Sequence, residues 1–237
     1  MTAKLTPLLC ELHAHTTWSD GRLSVRELCD LHGRVGFDVL AITDHTTRGP
    51  GCVGAANYRA YLNEVSSEAM RARALYDLLV IPGLELTYDD PDPALAGHAV
   101  AIGLREFVGV EGGLDEALRA ARAHGAALVA AHPYDIAVAA RSSRGTGAFA
   151  ASPSTWAPLV DRFELFNRDT LFAWVADAGL PGVACGDFHE PAHLATWKTM
   201  LPCAKDERSV LAYLRSSRPA FLLNLGDTAA REPARAA

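Results

Sequence analysis

Residues 8–21 read LLCELHAHTTWSDG: a short apolar run, then His13 and His15 in an H-x-H pair, then Ser19, Asp20 and Gly21. An apolar run of this length that stops at polar, chemistry-bearing side chains reads as a buried strand ending at a functional surface. The pattern returns at 39–45 (VLAITDH), 79–85 (LVIPGLE), 127–133 (ALVAAHP), 163–167 (FELFN) and 182–189 (GVACGDFH). Strands are therefore expected at 8–12, 39–43, 79–84, 98–103, 127–131, 163–166, 182–185 and 220–223. Apolar residues at helical spacing predict helices at 24–36, 55–77, 113–124, 170–178 and 206–215, the first with Ser24 as cap and Glu27 three residues on. Strands alternating with helices predict an α/β chain with a parallel sheet and crossover helices.

The chain has 237 residues, 49% hydrophobic and 21% charged, which suits a single domain over 1–237. Parallel α/β barrels often reach roughly 200–250 residues as one unit, so the length forces no split. Two stretches break the alternation. Residues 140–156, rich in Ser, Gly, Ala and Thr, read as a mobile loop, and 227–237 as a disordered tail. The net charge of -6 lacks the positive field of a protein that grips an extended nucleic-acid duplex or an anionic membrane. Five cysteines with no C-x-x-C pair give neither a disulfide framework nor a zinc ribbon, which fits a reducing cytoplasm. No apolar stretch approaches about 18 residues, and the first apolar run is too brief for a signal-peptide core.

The residues just past the strands carry the chemistry. They are His13 and His15, Asp44 and His45, Glu85, His132, Asn167, and Asp187 with His189, while His98 opens its own strand. Parallel barrels converge their C-terminal strand ends on one mouth, so residues far apart in sequence would meet there. Imidazole and carboxylate together suit Zn, Mn or Fe, and a carboxylate such as Glu85 has two oxygens with which to bridge two cations. On a strand, residues i and i+2 point to one side, so H-x-H and D-x-H can each aim two ligands at one ion. Each motif alone occurs often by chance; the set does not. His32 and His124 fall on helices and read as structure, His193 is a minor candidate, and Asp44 reads as a partner that orients a ligand histidine.

The ordered set H-x-H, S-D-G, T-D-H, Glu, His, H-P and D-x-H resembles the polymerase and histidinol phosphatase (PHP) superfamily, from His13 to His189. The resemblance implies a distorted TIM-like barrel of seven β/α units and two or three divalent cations. By position, His13, His15, Glu85 and Asp187 would hold one metal, and Glu85 would bridge to a second held by His98 and His132. A third would use Asp20, His45 and His189. The S-D-G triplet is similar to the general phosphoesterase branch, which includes nucleotide phosphatases and short-RNA exonucleases. Many relatives there carry an Arg soon after H-P, whereas Tyr134 and Asp135 follow His132 and Pro133 here. Cations for a substrate phosphate must then come from Arg48, Arg141, Arg144, Arg168 or Lys198.

The expected activity is hydrolysis of a small-molecule phosphoester (phosphomonoester, nucleotide or short oligonucleotide) by a hydroxide bridging two metals, with Glu85, Asp187 and His189 as the catalytic residues. Two other expectations share the ligand set: a carboxyl-ester, carbamate or amide hydrolase, and a metal-binding module without catalysis.

Overall fold

A computed structural model describes residues 6–47, 51–141 and 145–226. The strands are β1 (Leu8–Glu11), β2 (Val39–Ile42), β3 (His45–Thr46), β4 (Leu79–Tyr88), β5 (Gly97–Ile102), β6 (Ala127–Ala131), β7 (Arg162–Asn167), β8 (Thr170–Leu171), β9 (Gly182–Cys185), β10 (Trp197–Leu201) and β11 (Phe221–Asn224). The helices are α1 (Val25–Val35), α2 (Tyr58–Tyr76), α3 (Leu114–Ala123), the short α4 (Ile136–Ala139), α5 (Ala148–Ala151), α6 (Pro153–Trp156) and α7 (Ala173–Asp177), and α8 (Glu207–Leu214). Among the described residues no helix is long and apolar enough to cross a membrane.

Seven strands form a curled sheet in the order β1, β2, β4, β5, β6, β7, β9. Its ends meet where Ala14 bridges Phe188 in parallel, with Phe188 N donating to His13 O at 2.9 Å and His15 N to Phe188 O at 2.8 Å. At the opposite end β10 fills the seam: it runs antiparallel to β1, and Thr199 Oγ1 bonds both backbone groups of Ala184 in β9 at 2.8 Å. The result is the expected distorted seven-stranded, TIM-like barrel.

One strand is reversed. β5 is antiparallel to both β4 and β6, so β4 and β5 form a hairpin and no helix crosses between them. The link, 89–96, is DDPDPALA, whose two prolines and three aspartates favour turns over a helix. This corrects the expectation of an all-parallel sheet and explains His98: at the start of a reversed strand it reaches the same mouth as residues at the ends of the others.

Along β2, β5 and β6 successive residues alternate between two apolar clusters. Leu40, Ile42, Ala99, Ala101, Leu128 and Ala130 pack against α1, α2 and α3. Val39, Ala41, Val100, Ile102, Ala127 and Val129 face the other way, in a cluster that α8 closes with Val210 and Leu214. His98, two residues before Val100, and Glu85, four after Ile81, continue that second face toward the mouth. α1 starts as the sequence predicts: Ser24 Oγ accepts from Glu27 N, and the Glu27 carboxylate accepts from Ser24 N at 2.9 Å.

The expected loop at 140–156 is organised in its described part. Phe149 is buried against Trp156 and Phe163, which turns the 145–156 stretch into two short helices. β10 lies between 185 and 206, where the sequence predicts no strand or helix. The proposed tail at 227–237 lies outside the described residues.

Candidate metal centre

β1 ends one turn of chain before His15, and the next residues form a tight loop around the buried Asp44 carboxylate. Asp44 Oδ1 accepts from Thr16 N and Ser19 Oγ, both at 2.7 Å, and Oδ2 accepts from Thr16 Oγ1 at 2.8 Å. Asp44 thus holds the 16–19 turn rather than a ligand ring directly, a different role from the one read in the sequence. Gly21 is required by closeness: a Cβ there would stand 2.3 Å from His15 O. Together these fix Asp20 over the histidines.

All nine residues of the sequence-derived set meet at the mouth. His13 Nε2 and His15 Nε2 lie 3.4 and 3.5 Å from Glu85 Oε2, and 3.7 and 3.5 Å from Asp187 Oδ1. Glu85 Oε1 lies 3.0 Å from His132 Nε2 and 3.3 Å from His98 Nδ1. Asp20 Oδ1 stands 3.1 Å from His189 Nε2, 3.5 Å from His45 Nε2 and 3.9 Å from His15 Nδ1. The candidate ligands fall into three overlapping groups: His13, His15 and Asp187; Glu85, His98 and His132; and His15, Asp20, His45 and His189.

The donor set fits cations on two independent grounds. His13 Nε2, His15 Nε2, His98 Nδ1 and Glu85 Oε2 are buried and have no hydrogen-bond partner, a costly state that a bound cation relieves. The donor separations, 3.0–3.9 Å, also lie at or a few tenths of an ångström beyond those of two atoms sharing one ion, roughly 3.0–3.4 Å for ligand bonds of about 2.1 Å. Charge divides the ligands. Burial pushes the His15 imidazolium down to about 3, leaving a neutral ring with a lone pair to offer. On His13, His45 and His98 burial is outweighed by the neighbouring carboxylates, Glu85 foremost for the first two and Asp89 with Glu85 for His98, which rises to about 9; a cation binding there displaces those protons. Burial opposes ionisation of Glu85, yet His45 and His13 outweigh it and hold the carboxyl well below the usual range.

Residues that the sequence reading passed over support the ligands. Glu164, fully buried on β7, has Oε1 2.8 Å from His13 Nδ1, while Oε2 accepts from His132 N at 2.6 Å and Asn167 Nδ2 at 2.8 Å. One carboxylate thereby orients one ligand ring and fixes the backbone of another. Its signal was the E-x-x-N spacing inside a strand otherwise apolar. Asn167, expected near the metals, serves this carboxylate. Asp89 accepts from His98 Nε2 at 3.0 Å, and Thr87 Oγ1 stands 2.8 Å from His45 Nδ1. His132, Arg168 and Asp187 all have positive φ (28°, 51° and 42°), strained backbone for residues with a Cβ and concentrated at the mouth.

The basic candidates separate. Arg168 donates from its Nη2 to Asp187 O at 2.8 Å and to Asp187 Oδ2 at 3.0 Å, and the same nitrogen stands 3.2 Å from His189 Nδ1. Arg141 is exposed, and Arg48 and Arg144 lie outside the described residues. Lys198 is fully buried, with Nζ 3.1 Å from Glu11 Oε2 and donating to Thr196 Oγ1 at 2.7 Å and His193 O at 3.0 Å. A substrate phosphate cannot reach it. His193 Nδ1 accepts from His189 N at 3.1 Å, and His32 is buried with Nδ1 donating to Leu28 O at 2.9 Å.

Residues 11–185 match the profile of the PHP domain family. The chain is 30% identical over 87 residues to the DNA polymerase/3'-5' exonuclease PolX of Bacillus subtilis strain 168, a match covering 34% of this chain and 15% of that protein. Its fold is similar to a two-domain protein from Bacteroides vulgatus ATCC 8482 that contains a predicted PHP-like metal-dependent phosphoesterase, with TM-score 0.68 and 18% identity, covering 94% of this chain and 66% of the other. It is also similar to a candidate metal-dependent phosphoesterase from Bifidobacterium adolescentis ATCC 15703, with TM-score 0.50 and 18% identity over 76% of this chain and 87% of that one.

Proposed function

The chain belongs to the PHP domain family, and we propose that it is a metal-dependent phosphoesterase acting on a small-molecule phosphate ester. The observation that carries this reading is Glu85. Its carboxylate sits fully buried among five histidines, one oxygen facing His13, His15 and His45 and the other facing His98 and His132. A carboxylate so placed is built to join two cations.

His13, His15, Glu85 and Asp187 would hold one ion and Glu85, His98 and His132 a second, with Asp20, His45 and His189 available for a third; Zn, Mn and Fe all suit such donors. Bound there, divalent cations lower the proton affinity of water and neutralise phosphate charge. In the overall reaction an oxygen from water bonds phosphorus, the ester P–O bond breaks, and the departing alkoxide takes a proton. The chain's own groups position the partners. Arg168, whose guanidinium already lies on Asp187, would turn a donor to a non-bridging phosphate oxygen. Asp187 and His189, 3.3 Å apart, would hold the proton near the leaving oxygen. The mouth cavity of about 320 Å³ accommodates a small ester or a chain end rather than a duplex.

The test is release of nitrophenol from a nitrophenyl phosphate by protein loaded in turn with zinc, manganese or iron. Glu85→Gln and Asp187→Asn are expected to lose activity beyond the ~10–100-fold cost of a merely supporting residue, with the metal-free protein still folded and unfolding cooperatively. Retained activity in either variant refutes the site. A second reading, cleavage of a carboxyl ester, carbamate or amide, is favoured by one observation: Tyr134 and Asp135 follow Pro133 where a cation would serve phosphate. Parallel assays on phosphate esters, carboxyl esters and carbamates separate the two.

A further inference from the structure

Two loops leave the mouth from neighbouring strands, 133–138 after β6 and 168–174 around β8. Between them lies an open cleft of about 320 Å³ walled by Tyr134, Val138, Leu171, Phe172 and Trp174. The ring walls are fixed before anything binds. Tyr134 meets Phe172 edge to face at 5.1 Å, and Trp174 meets the core residue Phe163 at 5.9 Å while its Nε1 donates to Pro133 O at 2.7 Å. The lips are different: Val138 is 51% exposed and Leu171 52%. Single exposed apolar residues are ordinary. Two of them on a concavity with rigid aromatic walls, beside a cluster of polar reactive groups, have the composition of a small-molecule site.

The cleft adjoins the metal residues on both flanks. The Tyr134 ring lies 6.4 Å from that of His132, and Arg168, two residues before Thr170, lays its guanidinium against Asp187 and His189. With phosphorus at the mouth beside His132, the alcohol of a phosphoester can extend past Tyr134 into the cleft. We propose that this cleft is the leaving-group subsite and that the alcohol it receives carries a flat, uncharged, unsaturated ring. The inference rests on the phosphoester reading for the position of phosphorus. A ring can pack against Tyr134 and Trp174, both half-buried, whereas a polyol would leave hydroxyls unpaired against Val138 and Leu171. Asp135 Oδ1 is taken, accepting from Ala137 N at 2.8 Å as the cap of α4, so the lining leaves a polyol only Asp135 Oδ2 and the Thr170 side chain. The ring chemistry is shared by simple aryl alcohols and by nucleosides.

The experiment uses ligands that cannot be hydrolysed. Calorimetry on the metal-loaded full chain compares phenylphosphonate with methylphosphonate, and the lip variant Leu171→Asp tests the cleft without disturbing the core. The expected result is phenylphosphonate binding at least about tenfold tighter, with that ratio collapsing in Leu171→Asp. In turnover, the kcat/KM of phenyl phosphate over glycerol phosphate should fall in the same variant, mainly through KM. Adenosine monophosphate preferred over phenyl phosphate would identify the ring as a nucleoside's; the reverse identifies an aryl alcohol. Equal binding of the two phosphonates overturns the subsite and leaves the phosphoesterase reading standing. If no phosphonate binds but adenosine alone quenches tryptophan fluorescence in the wild type and not in Leu171→Asp, the cleft stands and the phosphoester reading falls. If neither occurs, both fall.

Discussion

Two buried polar clusters begin at neighbouring positions of the first strand and are built on opposite rules. Glu11 faces Lys198, one charge against one, both fully buried. The lysine also bonds Thr196 and a carbonyl, and Glu11 Oε1 accepts from Gly186 N at 2.8 Å. The cluster is closed so tightly that a Cβ on Gly186 would stand 2.1 Å from Glu11 Oε2 and 2.6 Å from Lys198 Nζ. Two residues along, His13 opens a cluster of acids and imidazoles whose one basic neighbour, Arg168, sits at its edge on Asp187 and His189. There the nitrogen and oxygen atoms face one another across gaps of 3.4–3.7 Å, and the histidine nitrogens and Glu85 Oε2 make no hydrogen bond. Both sides leave buried polar atoms without a hydrogen bond, Glu11 Oε2 and His32 Nε2 on the first and four candidate ligand atoms on the second. What separates them is that Glu11 has the Lys198 ammonium 3.1 Å away to offset its charge, whereas the ligand cluster gathers four such atoms around one space.

Breaking the closed cluster has the largest expected effect. Lys198→Met leaves Glu11 buried and unpaired and should cost about 3–5 kcal/mol in urea unfolding, most of it recovered in the double variant Glu11→Leu with Lys198→Met. A loss below about 1 kcal/mol would show that the pair does not hold this part of the barrel.

His32 comes next, since it shares the closed side, packing on Phe188 at 5.0 Å. Burial pushes its imidazolium down to about 4 from an ordinary 6.5. The unfolded chain therefore takes up a proton more readily than the folded one between those values. Stability is complete above pH 6.5 and falls as pH drops toward 4, by about 3 kcal/mol for a shift of this size. Metal-free His32→Leu should lose that slope across pH 6.5 to 4, and an unchanged slope would assign it to other groups.

The open cluster predicts a smaller, ligand-dependent gain. Metal at a hundredfold over its dissociation constant should stabilise the protein by about 2.7 kcal/mol in the same unfolding experiment, and Glu85→Gln should remove the increment. Equal stabilisation of wild type and variant would place the metal elsewhere. Smallest is Glu164→Gln. Loss of its acceptor for the His13 ring should weaken metal affinity by about 10–100-fold, measured by chelator competition, and leave metal-free stability less affected than Lys198→Met does.

The nine mouth residues were legible because most strands are short apolar runs and most ligands lie at or just past the boundary of one. β6 and β9 fall where they were expected. Glu85 was found because the apolar run 79–84 stops at it, even though β4 itself runs on to Tyr88. What failed was pairing. Nothing local in His98–Ile102 states that β5 runs backward, and β10 was hidden because WKTML has two polar residues whose partners, Glu11 and Ala184, lie far away in the chain. Lys198 looked like a free cation for the same reason. Glu164 was overlooked because a single acid in the middle of a strand gives no sign of which loop it will meet.

The sequence by itself determined which residue types could bind metal, in what order they come, and that apolar runs would bring them to strand boundaries. Those are properties of side-chain chemistry and of a two-residue period. Only the tertiary structure decided that His98 reaches the mouth from a reversed strand, that Lys198 is spent on Glu11, that Glu164 steadies His13 and His132, and that an aromatic cleft stands beside the metals. Each of these joins residues dozens of positions apart or more, or turns on the direction of a strand, and local sequence encodes neither; packing does.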